Sequence, residues 1–453
     1  MSAPKPPTRR GLPLLGHSLR LFFDPLRFFE SLRAEGDLVA IRLGTKPVYV
    51  VNHHDLIREI LLKQGHKFEK GRQFEKLRPF VGNGLLTSDG GFHLRQRRVI
   101  QHAFQRTRIM ENAVITRELA EDAVAAWPHD RPLDLDREIY ALLLAIVTKS
   151  FFSRKLNAEA ITAAQEALPV VLSGMGWRAL APTEFFERLP TPGNRRFDRA
   201  LATMHAVIDQ VIADYRGAGT DQGDLLSMLM NARDDESGEA MSDQQVHDEV
   251  MTMMVAGSET NKNAVSWACY FISEHPDVQR RLQREVDEVL AGRPASYEDV
   301  PGLPYTRRVI TEALRMYPPP WLITRRPTED VELGGHLIPA DAMVLYSPYA
   351  LHRDPVFYPD PDRFDPDRWL PERSAHRPRG AYIPFGAGNR GCIGEQVAWN
   401  QTVMILSTVA RLWTLKPVRG RRVRPEAKIV LVPSGIPMSL ERREANTVPA
   451  PGS

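Results

Sequence analysis

Cys392 lies in a glycine-rich stretch, IPFGAGNRGCIGEQVA (383–398), and is one of only two cysteines in the 453-residue chain. Gly386, Gly388 and Gly391 have the G-x-G-x-x-G spacing that can bind the pyrophosphate of a dinucleotide at the start of a helix. A cysteine in the same place can instead hold a metal through its thiolate, which backbone N–H groups and a helix N-terminus stabilise. The stretch therefore has two candidate chemistries.

The dinucleotide interpretation fails on the sequence around these glycines. Gly391 lies too close to the C-terminus, at residue 453, to be followed by a complete nucleotide-binding sheet. No Asp or Glu occurs from Gln396 to Pro425, where the acid that binds a ribose hydroxyl would be expected. Pro384 also lacks the amide hydrogen that a central strand needs. A nucleotide-dependent dehydrogenase is therefore disfavoured.

The glycines fit better as a tight turn around the sulfur. Gly388, Gly391 and Gly394 would let the backbone fold closely around Cys392 before the next helix begins. Cys269 lies in the apolar tail of a long predicted helix, where we expect a small buried hydrophobic side chain. Burial of that kind is also the common fate of a lone cysteine, so the metal-ligand hypothesis needs support from elsewhere in the chain.

That support is a family signature. PFGAGNRGCIG matches the F-x-x-G-x-R-x-C-x-G pattern of cytochrome P450 enzymes, the haem-thiolate monooxygenases, and the chain resembles that family. The matching residues are Phe385, Gly388, Arg390, Cys392 and Gly394. Four further matches, in the family's order, extend the resemblance over nearly the whole chain. One of the four comprises the N-terminal hairpin with the HRDP (352–355) and FDPDRW (364–369) segments, which resemble the family's small β part and meander.

The resemblance implies a fold, a cofactor and a reaction. The fold is mainly α, with a large helical part, a long central helix and a small β-rich part. One P450 domain would span residues 1–453, with flexible tails at about 1–10 and 441–453. Haem b would be bound through Cys392, whose thiolate favours O–O bond cleavage. The expected activity is insertion of one oxygen atom of O2 into a C–H bond.

A second match, Glu312-Ala-Leu-Arg315, corresponds to the family's E-x-x-R motif. Opposite charges at i and i+3 on a helix usually form a solvated surface pair worth a few tenths of a kcal/mol. In the family the pair is buried and bonds to a downstream arginine, for which Arg368 is the candidate here. The resemblance implies a structural triad that braces the loop carrying Cys392.

A third match is AGSET (256–260), within a predicted long helix. A mid-helix threonine usually bonds back to a carbonyl one turn earlier. The resemblance instead implies that the Thr260 hydroxyl supports dioxygen activation and that Glu259 helps to deliver protons. It also implies that Ala256 contacts the haem.

A fourth match, His93-Leu-Arg-Gln-Arg97, points to the haem propionates, which need cationic donors. The resemblance implies that His93, Arg97, Arg325 and Arg390 bind them, and that Phe385, Gly386 and Gly394 also contact the cofactor. The remaining basic residues would by default form a cationic helix face, suited to docking an acidic electron donor. They are Arg95, Arg98, His102 and Arg106.

Substrate choice is expected from segments that face the distal side of the haem in the family. The residues expected there are almost all apolar, which favours a hydrocarbon-like ligand oriented by shape, although ordinary core is the alternative for some. Arg72 and Arg78 keep a fatty acid open. The expected pocket residues are Phe74, Leu77, Phe80, Val81, Leu85, Leu86, Thr252, Val255, Trp321, Ile323 and Ile436.

Two segments, RLPTPGNRRF (188–197) and LITRRPTEDVELGG (322–335), resemble bacterial terpene hydroxylases such as pentalenene oxygenase. We therefore expect hydroxylation of a cyclic sesquiterpene or diterpene in secondary metabolism, in one or several successive oxidations. Fatty-acid, steroid or macrolide hydroxylation is the alternative within the family. A non-catalytic haem-thiolate sensor is the alternative of another class, but it has no need of Glu259 and Thr260.

Several elements must position these residues. Ser242 and Gln245 form a capping-box pattern and His275-Pro276 a stop, which predicts one helix of about 32 residues between them. Helical patterns dominate from about 55 to 320. Hairpins are predicted at 37–51 and 428–440, with short strands around 329–346.

Composition limits the function classes. Lys and Arg number 59 against 56 Asp and Glu, so the whole chain does not indicate nucleic-acid binding. Two cysteines are too few for a disulfide scaffold, and neither a signal peptide nor a membrane anchor is evident. We expect a cytoplasmic enzyme that receives electrons from a separate ferredoxin and ferredoxin reductase, with O2 and a small apolar molecule as its substrates.

Overall fold

The computed structural model describes residues 6–151, 158–180, 189–218, 224–234 and 236–444. Most of these residues are helical and a minority form short strands, as the sequence predicts. The α-helices are α1 Ser18–Phe23, α2 Pro25–Arg33, α3 His54–Arg58, α4 Arg72–Val81, α5 Gly90–Gln101, α6 Arg106–Ala125, α7 Leu135–Phe151, α8 Ala158–Leu180, α9 Pro192–Ala218, α10 Leu225–Asn231, α11 Asp243–Glu274, α12 Pro276–Leu290, α13 Pro304–Met316, α14 Pro348–Leu351, α15 Pro371–Ser374 and α16 Glu395–Leu412.

The strands make four small sheets among the described residues. The strands are β1 Leu38–Leu43, β2 Lys46–Val51, β3 Phe68–Glu69, β4 Leu133–Asp134, β5 Ile323–Pro327, β6 Val331–Leu333, β7 His336–Ile338, β8 Met343–Tyr346, β9 Trp413–Pro417, β10 Pro425–Ala427, β11 Leu431–Pro433 and β12 Pro437–Arg442. The largest sheet has the order β1-β2-β8-β5-β3, in which β2 and β8 are parallel and the other pairs are antiparallel.

Helix α11 is the long central helix that the sequence predicts. It has 32 residues, and both reciprocal hydrogen bonds of the capping box at Ser242 are present. At 1.5 Å per residue its length is about 48 Å. Its first half packs into one hydrophobic cluster with α8 and α9, and its second half into another with α13 and α16. The middle, where these clusters meet, carries Ala256 to Thr260.

The predicted hairpin at 428–440 is wrong. Its two strands belong to different sheets, because β11 pairs with β10 whereas β12 pairs with β9 and β4. Gly435, at φ +94°, turns the chain between them. The hairpin predicted at 37–51 is present as β1 and β2.

Hydrogen bonds hold some of the residues that the sequence assigns to flexible tails, at about 1–10 and 441–453. Near the N-terminus, the amide of Ala40 donates to Pro7 O (2.8 Å) and the amide of Arg9 donates to Ala40 O (3.0 Å). Near the C-terminus, β12 extends to Arg442, and the next residue bonds to Leu412 O (3.0 Å). The remainder of both predicted tails, 1–5 and 445–453, lies outside the described residues, as does residue 188.

No helix among the described residues combines the length and the apolar character needed to cross a bilayer.

Candidate active site

The structure contains a cavity of about 660 Å³ between α11, the segment that leads into β5 and the loop that carries Cys392. Part of α4 and the turn between β10 and β11 close its other sides. A second cavity, of about 510 Å³, lies between α6, α10 and α11. Cys392, Ala256 and Thr260 border both cavities, so the sulfur and the centre of α11 face each other across the space where the cavities meet.

The loop before α16 holds the sulfur at this place. The amide of Cys392 donates to Phe385 O (2.8 Å), and the amide of Gly391 donates to Gly388 O (2.9 Å). Gly386 (φ +71°) and Gly388 (φ +66°) have left-handed backbones. A Cβ on Gly388 would lie 2.4 Å from Leu61 O, so that position requires glycine.

The other two glycines of the predicted tight turn act differently. Gly391 (φ −63°) and Gly394 (φ −87°) have ordinary backbone angles, and Gly394 is the N-cap of α16, which begins at Glu395 as predicted. Close approach of the backbone explains Gly391, because a Cβ there would lie 3.2 Å from Gly388 O.

The environment of Cys392 contains opposing influences on its thiol. Burial raises its pKa, the backbone N–H of Gly394 lowers it, the carboxylate of Glu395 raises it and the guanidinium of Arg97 lowers it, and together they leave the pKa above its ordinary value. Arg97 is held beside the loop by a hydrogen bond from Nη1 to Gly391 O (2.8 Å). Cys269 has a different environment, since it is fully buried in the hydrophobic core and burial raises its pKa to about 12.

Basic side chains gather at one end of the cavity. His93, Arg97, Arg325 and Arg390, the four expected propionate ligands, all line it, and so does Lys70, which the sequence did not suggest. Lys70 Nζ donates to Leu85 O (2.6 Å) and Ser88 O (2.8 Å) and lies 3.4 Å from His93 Nδ1. Among ion pairs between described residues, this cluster takes part in only Arg390–Asp89 (2.7 Å).

Burial and mutual repulsion act on the cluster together. Burial and the charges of Arg390 and Arg325 lower the pKa of Lys70 to about 6. Burial, Lys70 and Arg390 lower the pKa of His93 to about 3, and burial also lowers that of Arg390. An anionic group in the cavity would relieve this repulsion.

The small residues on the facing side of α11 also leave room for a flat group. A Cβ added to Gly257 would meet only Val147 Cγ2, at 3.9 Å. A flat group with carboxylates at one edge and a metal at its centre, such as haem, therefore fits the residues present: a soft sulfur ligand, basic side chains beside it and small residues opposite.

The expected triad comes together and is buried. Arg315 donates from Nε and Nη2 to the two oxygens of Glu312 (both 2.9 Å), and Arg368 Nε donates to Glu312 Oε1 (3.2 Å). Trp369 Nε1 adds a donor to Glu312 Oε2 (2.8 Å). A buried charge is tolerated only when it is fully paired, and these hydrogen bonds pair the carboxylate of Glu312. The same bonds join α13 to the segment after residue 359.

The triad is linked to the cysteine loop through His352. Arg315 Nη1 donates to His352 O (3.0 Å), and the amide of Ile383 donates to His352 Nε2 (2.9 Å). Burial lowers the pKa of His352 to about 3, so the ring is neutral and Nε2 can accept this hydrogen bond. Two bonds thus connect Arg315 to the residue at which the glycine-rich loop begins.

On α11, Thr260 and Glu259 both line the main cavity. Thr260 Oγ1 donates to Ala256 O (2.7 Å), the bond expected of an ordinary mid-helix threonine, while its oxygen remains able to accept. Glu259 pairs with Lys262 (3.1 Å), which is almost fully buried and also pairs with Asp136 of α7 (3.1 Å). Lys262 was missed, although its i+3 spacing from Glu259 could have indicated the pair.

Asn261, the residue after Thr260, joins α11 to α16. Its Nδ2 donates to Gln401 Oε1 (2.6 Å), and its Oδ1 accepts from the hydroxyl of Thr402 (2.6 Å). The helix opposite Cys392 is therefore hydrogen-bonded to the helix that follows Cys392.

Seven of the expected pocket residues line the main cavity: Phe74, Leu77, Leu85, Leu86, Thr252, Val255 and Ile323. Four expected residues do not line it. Phe80 packs edge-on against Phe197, and Val81 is fully buried in the same cluster. Trp321 turns towards α2 and bonds to Lys428 O, and Ile436 lies in the core under β12. Their places are taken by Leu322, Ile429, Val430, Val432 and Pro433.

Two acids of α11, absent from the sequence prediction, hold the loop between α4 and α5. Asp248 Oδ2 accepts from the amide of Asn83 (2.7 Å), and Glu249 Oε2 accepts from the amide of Leu85 (2.9 Å). Burial raises the pKa of Glu249 to about 8. The loop can lie this close because a Cβ on Gly84 would be 2.4 Å from Thr252 Oγ1, so glycine alone fits there.

Comparison with known proteins gives one consistent result. A family model for cytochrome P450 matches residues 4–439. Cyclooctatin synthase of Streptomyces melanosporofaciens is 44% identical over 434 residues, which are 96% of this chain and 95% of that protein. Pentalenene oxygenase of Streptomyces avermitilis is 37% identical over 417 residues, 92% of each chain. The crystal structure of the cytochrome P450DA haem domain matches with a TM-score of 0.88 at 25% identity, covering 99% of both chains. The predicted fold class is confirmed.

Proposed function

Because this chain belongs to the cytochrome P450 family, we propose that it is a haem-dependent monooxygenase acting on an apolar cyclic terpene in secondary metabolism. The observation that carries the proposal is the cysteine sulfur at the wall of a large apolar cavity, opposite Thr260. Haem b is the cofactor. We assign the whole match, residues 4–439, to one catalytic domain.

The cofactor would be held by residues that already line the two cavities. Cys392 would bind the iron, and Arg97, Arg325, Arg390 and His93 would bind the propionates. Thiolate-ligated haem supplies the activation of O2 for insertion into a C–H bond. Phe385, Gly386, Gly394 and Ala256 would contact its faces and edge.

Thr260 and Glu259 would transfer protons during the activation of O2. The Thr260 hydroxyl borders the cavity and can accept as well as donate a hydrogen bond. Glu259 is held by Lys262, which also pairs with Asp136, and all three side chains line the main cavity, so we assign Glu259 the delivery of protons to Thr260. A general acid must stand within hydrogen-bond reach of the group it protonates, and both residues occupy the same short segment of α11.

The chemistry of the cavity wall favours a hydrocarbon skeleton. Apart from the basic cluster, which the propionates would neutralise, and the polar side chains around Glu259 and Lys262 of α11, most of the residues that line the cavity are apolar. Arg72 and Arg78 do not line the cavity, and Arg78 donates to Thr87 O (2.7 Å), which weakens the fatty-acid alternative. The relatives named for cyclooctatin and pentalenene support a cyclic terpene substrate.

We further propose that a ferredoxin and its reductase supply the electrons, and that the enzyme works in the cytoplasm. The two cysteines are unpaired, as expected in a reducing compartment. Arg106 is exposed at the start of α6. It follows Phe104 by two residues, and the ring of Phe104 packs against the cysteine loop, since its Cε1 would be 3.6 Å from a Cβ on Gly394. A basic surface next to the cysteine loop is the place where an acidic electron donor would approach the metal most closely.

The proposal can be tested on purified protein loaded with haem. The dithionite-reduced protein under carbon monoxide should show the red-shifted Soret band of thiolate ligation. Cys392→Ser should lose that band, whereas the matched Cys269→Ala should keep it. With ferredoxin, its reductase and NADPH, a panel of cyclic terpenes should yield hydroxylated products, and Thr260→Ala should divert electrons to peroxide.

Two results would contradict the proposal. Absence of the thiolate band in folded, haem-loaded wild-type protein would remove the basis for the whole mechanism. A protein with the band that binds terpenes, consumes no NADPH with them and forms no product would instead be a sensor.

A further inference from the structure

The N-terminal segment exposes an unusual concentration of apolar side chains. Twelve large apolar side chains are exposed among the described residues, and half of them lie in residues 12–23. Phe22 and Phe23 are 79% and 77% exposed, and Leu14 is 82% exposed. We call this segment the apolar surface; its exposed members are Leu12, Leu14, Leu15, Leu19, Phe22 and Phe23.

Hydrogen bonds fix the apolar surface to the β1–β2 hairpin. The amide of His17 donates to Arg42 O (2.7 Å), and the amide of Gly44 donates to Leu15 O (3.2 Å). Gly16 (φ +57°) lies so close to the strand that a Cβ would be 2.3 Å from Arg42 O. Helix α1 buries none of its own residues. The apolar side chains are therefore presented outward by a positioned backbone.

Positive charge surrounds the apolar surface. Arg10, Arg20, Arg27 and Lys46 are all exposed. Between residues 10 and 27 the only acid in the sequence is Asp24, which lies 3.9 Å from Arg27. Aromatic and aliphatic side chains flanked by arginines are the composition that favours the interface of an anionic lipid bilayer, where rings enter the headgroup region and cations meet lipid phosphates.

We propose that this apolar surface binds the interface of an anionic lipid membrane, without spanning it. A second copy of the chain fits less well, because a two-fold interface would bring together two copies of a surface whose exposed charges are nearly all positive. An acidic protein partner would meet the cations but would leave two phenylalanines without a lipid-like environment.

The position of the apolar surface relative to the cavity gives the contact a use. Phe29 of α2 packs against Trp321 (6.1 Å between ring centroids) and in one cluster with Leu431. The neighbours of those two residues, Leu322 and Val430, line the main cavity. One layer of side chains thus separates α2, the helix that follows the apolar surface in the chain, from the cavity. If the substrate is an apolar terpene, as proposed above, it would partition into the same membrane that the protein contacts.

Vesicle sedimentation of the haem-loaded protein tests the inference without any substrate. We expect binding to phosphatidylcholine vesicles that contain phosphatidylglycerol, weaker binding to phosphatidylcholine alone, and weakening by salt. The double variant Phe22→Ser/Phe23→Ser should lower the partition coefficient about tenfold or more, because two exposed rings lose their burial in lipid. Arg20→Gln/Arg27→Gln should lose most of the preference for the anionic vesicles.

Val356→Ser is the matched control, since Val356 is 76% exposed and lies elsewhere in the chain. It should bind vesicles like the wild type, and all variants should keep the melting temperature and the carbon monoxide spectrum. The inference is overturned if the wild type binds neither vesicle, or if the phenylalanine variant binds as well as the wild type. It is also overturned if that variant abolishes a wild-type dimer and leaves vesicle binding unchanged. These outcomes do not depend on turnover, so they are independent of the proposed reaction.

Discussion

At the scale of single residues, the least expected feature is a lysine buried in the middle of the central helix. Lys262 is 4% exposed and is shared between the carboxylates of Glu259 and Asp136, at 3.1 Å from each. Asp136 Oδ1 and the Tyr140 hydroxyl nearby have no hydrogen-bond partner among the described residues. The charge of Lys262 therefore sets the orientation of the acid proposed to deliver protons.

We predict that Lys262→Met lowers product formation about tenfold or more and raises peroxide release, because Glu259 loses the partner that orients it. The measurement is product and peroxide formed per NADPH consumed. The variant also leaves the carboxylates of Glu259 and Asp136 without their cationic partner. Leaving a buried charge unpaired costs about 3–5 kcal/mol of folding free energy, so the variant should melt at a lower temperature.

The double variant Lys262→Met/Asp136→Asn serves as the control, since it removes the second carboxylate that the lysine neutralised. It should recover much of the stability while the loss of coupling remains. If coupling returns together with stability, Lys262 has only a structural role.

Sequence alone located the residues that belong to spaced motifs, because the chemistry of each motif fixes its spacing. Cys392, Thr260, Glu312 and Arg315 were found in this way. Lys70 was not, because its place in the basic cluster follows from the packing of the segment after β3 against residues 85–93. No local pattern in FEKGRQ indicates that contact.

At the scale of elements, α11 does more than carry the proposed catalytic residues. Its first turns hold the loop between α4 and α5 through Asp248 and Glu249, and Leu85 and Leu86 of that loop line the cavity. Burial raises the pKa of Glu249 to about 8 from an ordinary value of 4.5. Between these two values the folded protein binds more protons than the unfolded chain, so this residue lowers stability as the pH rises.

We predict that Glu249→Gln becomes increasingly more stable than the wild type from pH 5 to pH 8. The side-chain amide oxygen of the variant can still accept a hydrogen bond from the backbone N–H of Leu85. The variant also lacks the ionisable group, which in the wild type makes the free energy of unfolding fall by at most about 1.4 kcal/mol per pH unit. Thermal unfolding followed by circular dichroism at pH 5 and pH 8 measures the difference. A stability difference that is equal at the two pH values would show that Glu249 keeps an ordinary pKa.

The triad is a second device at this scale, joining α13 to the cysteine loop. We predict that Arg315→Lys lowers the melting temperature by several degrees and reduces haem content, because lysine cannot replace the two parallel bonds to Glu312 and the bond to His352 O. Haem content and melting temperature are measured together on the same preparation. Arg307→Lys, on the same helix, should change neither appreciably.

Element types were predictable from periodicity, whereas the side that each short strand presents was not. The sequence placed pocket residues in the segment before β5 and near β12, but Trp321 and Ile436 point away from the cavity. A shift of one residue in an extended segment reverses the direction of its side chains, and this register depends on strands distant in the sequence. The choice of pairing partner also depends on distant strands. The 428–440 hairpin was wrong because β12 pairs with β4 and β9.

At the scale of the whole molecule, the distribution of charge matters more than its formal net value of +3. Part of the predicted cationic face on α5 is already neutralised, since Arg95 pairs with Glu239 (3.1 Å) and Arg98 with Asp234 (3.1 Å) and Glu236 (2.8 Å). The basic surface left for an electron donor is therefore smaller than the sequence suggests, and Arg106 is its clearest member.

We predict that Arg106→Glu raises the KM for ferredoxin several-fold with little change in haem content or in substrate binding. Exposed charges steer association and are screened by salt, so rising ionic strength should slow wild-type turnover and narrow the difference from the variant. Arg196→Glu, exposed on α9, is the control with unchanged KM. Equal effects of the two variants would place the donor elsewhere.

The bonds from Asn261 to Gln401 and Thr402 have a consequence for how the enzyme matures. They join α11 to α16, the helices on either side of the site proposed for haem, through protein groups alone, so we expect the apoprotein to keep the spacing of these two helices. Apoprotein made in iron-starved cells should thus keep a melting transition and take up added haem without prior denaturation. Asn261→Ala should slow that uptake.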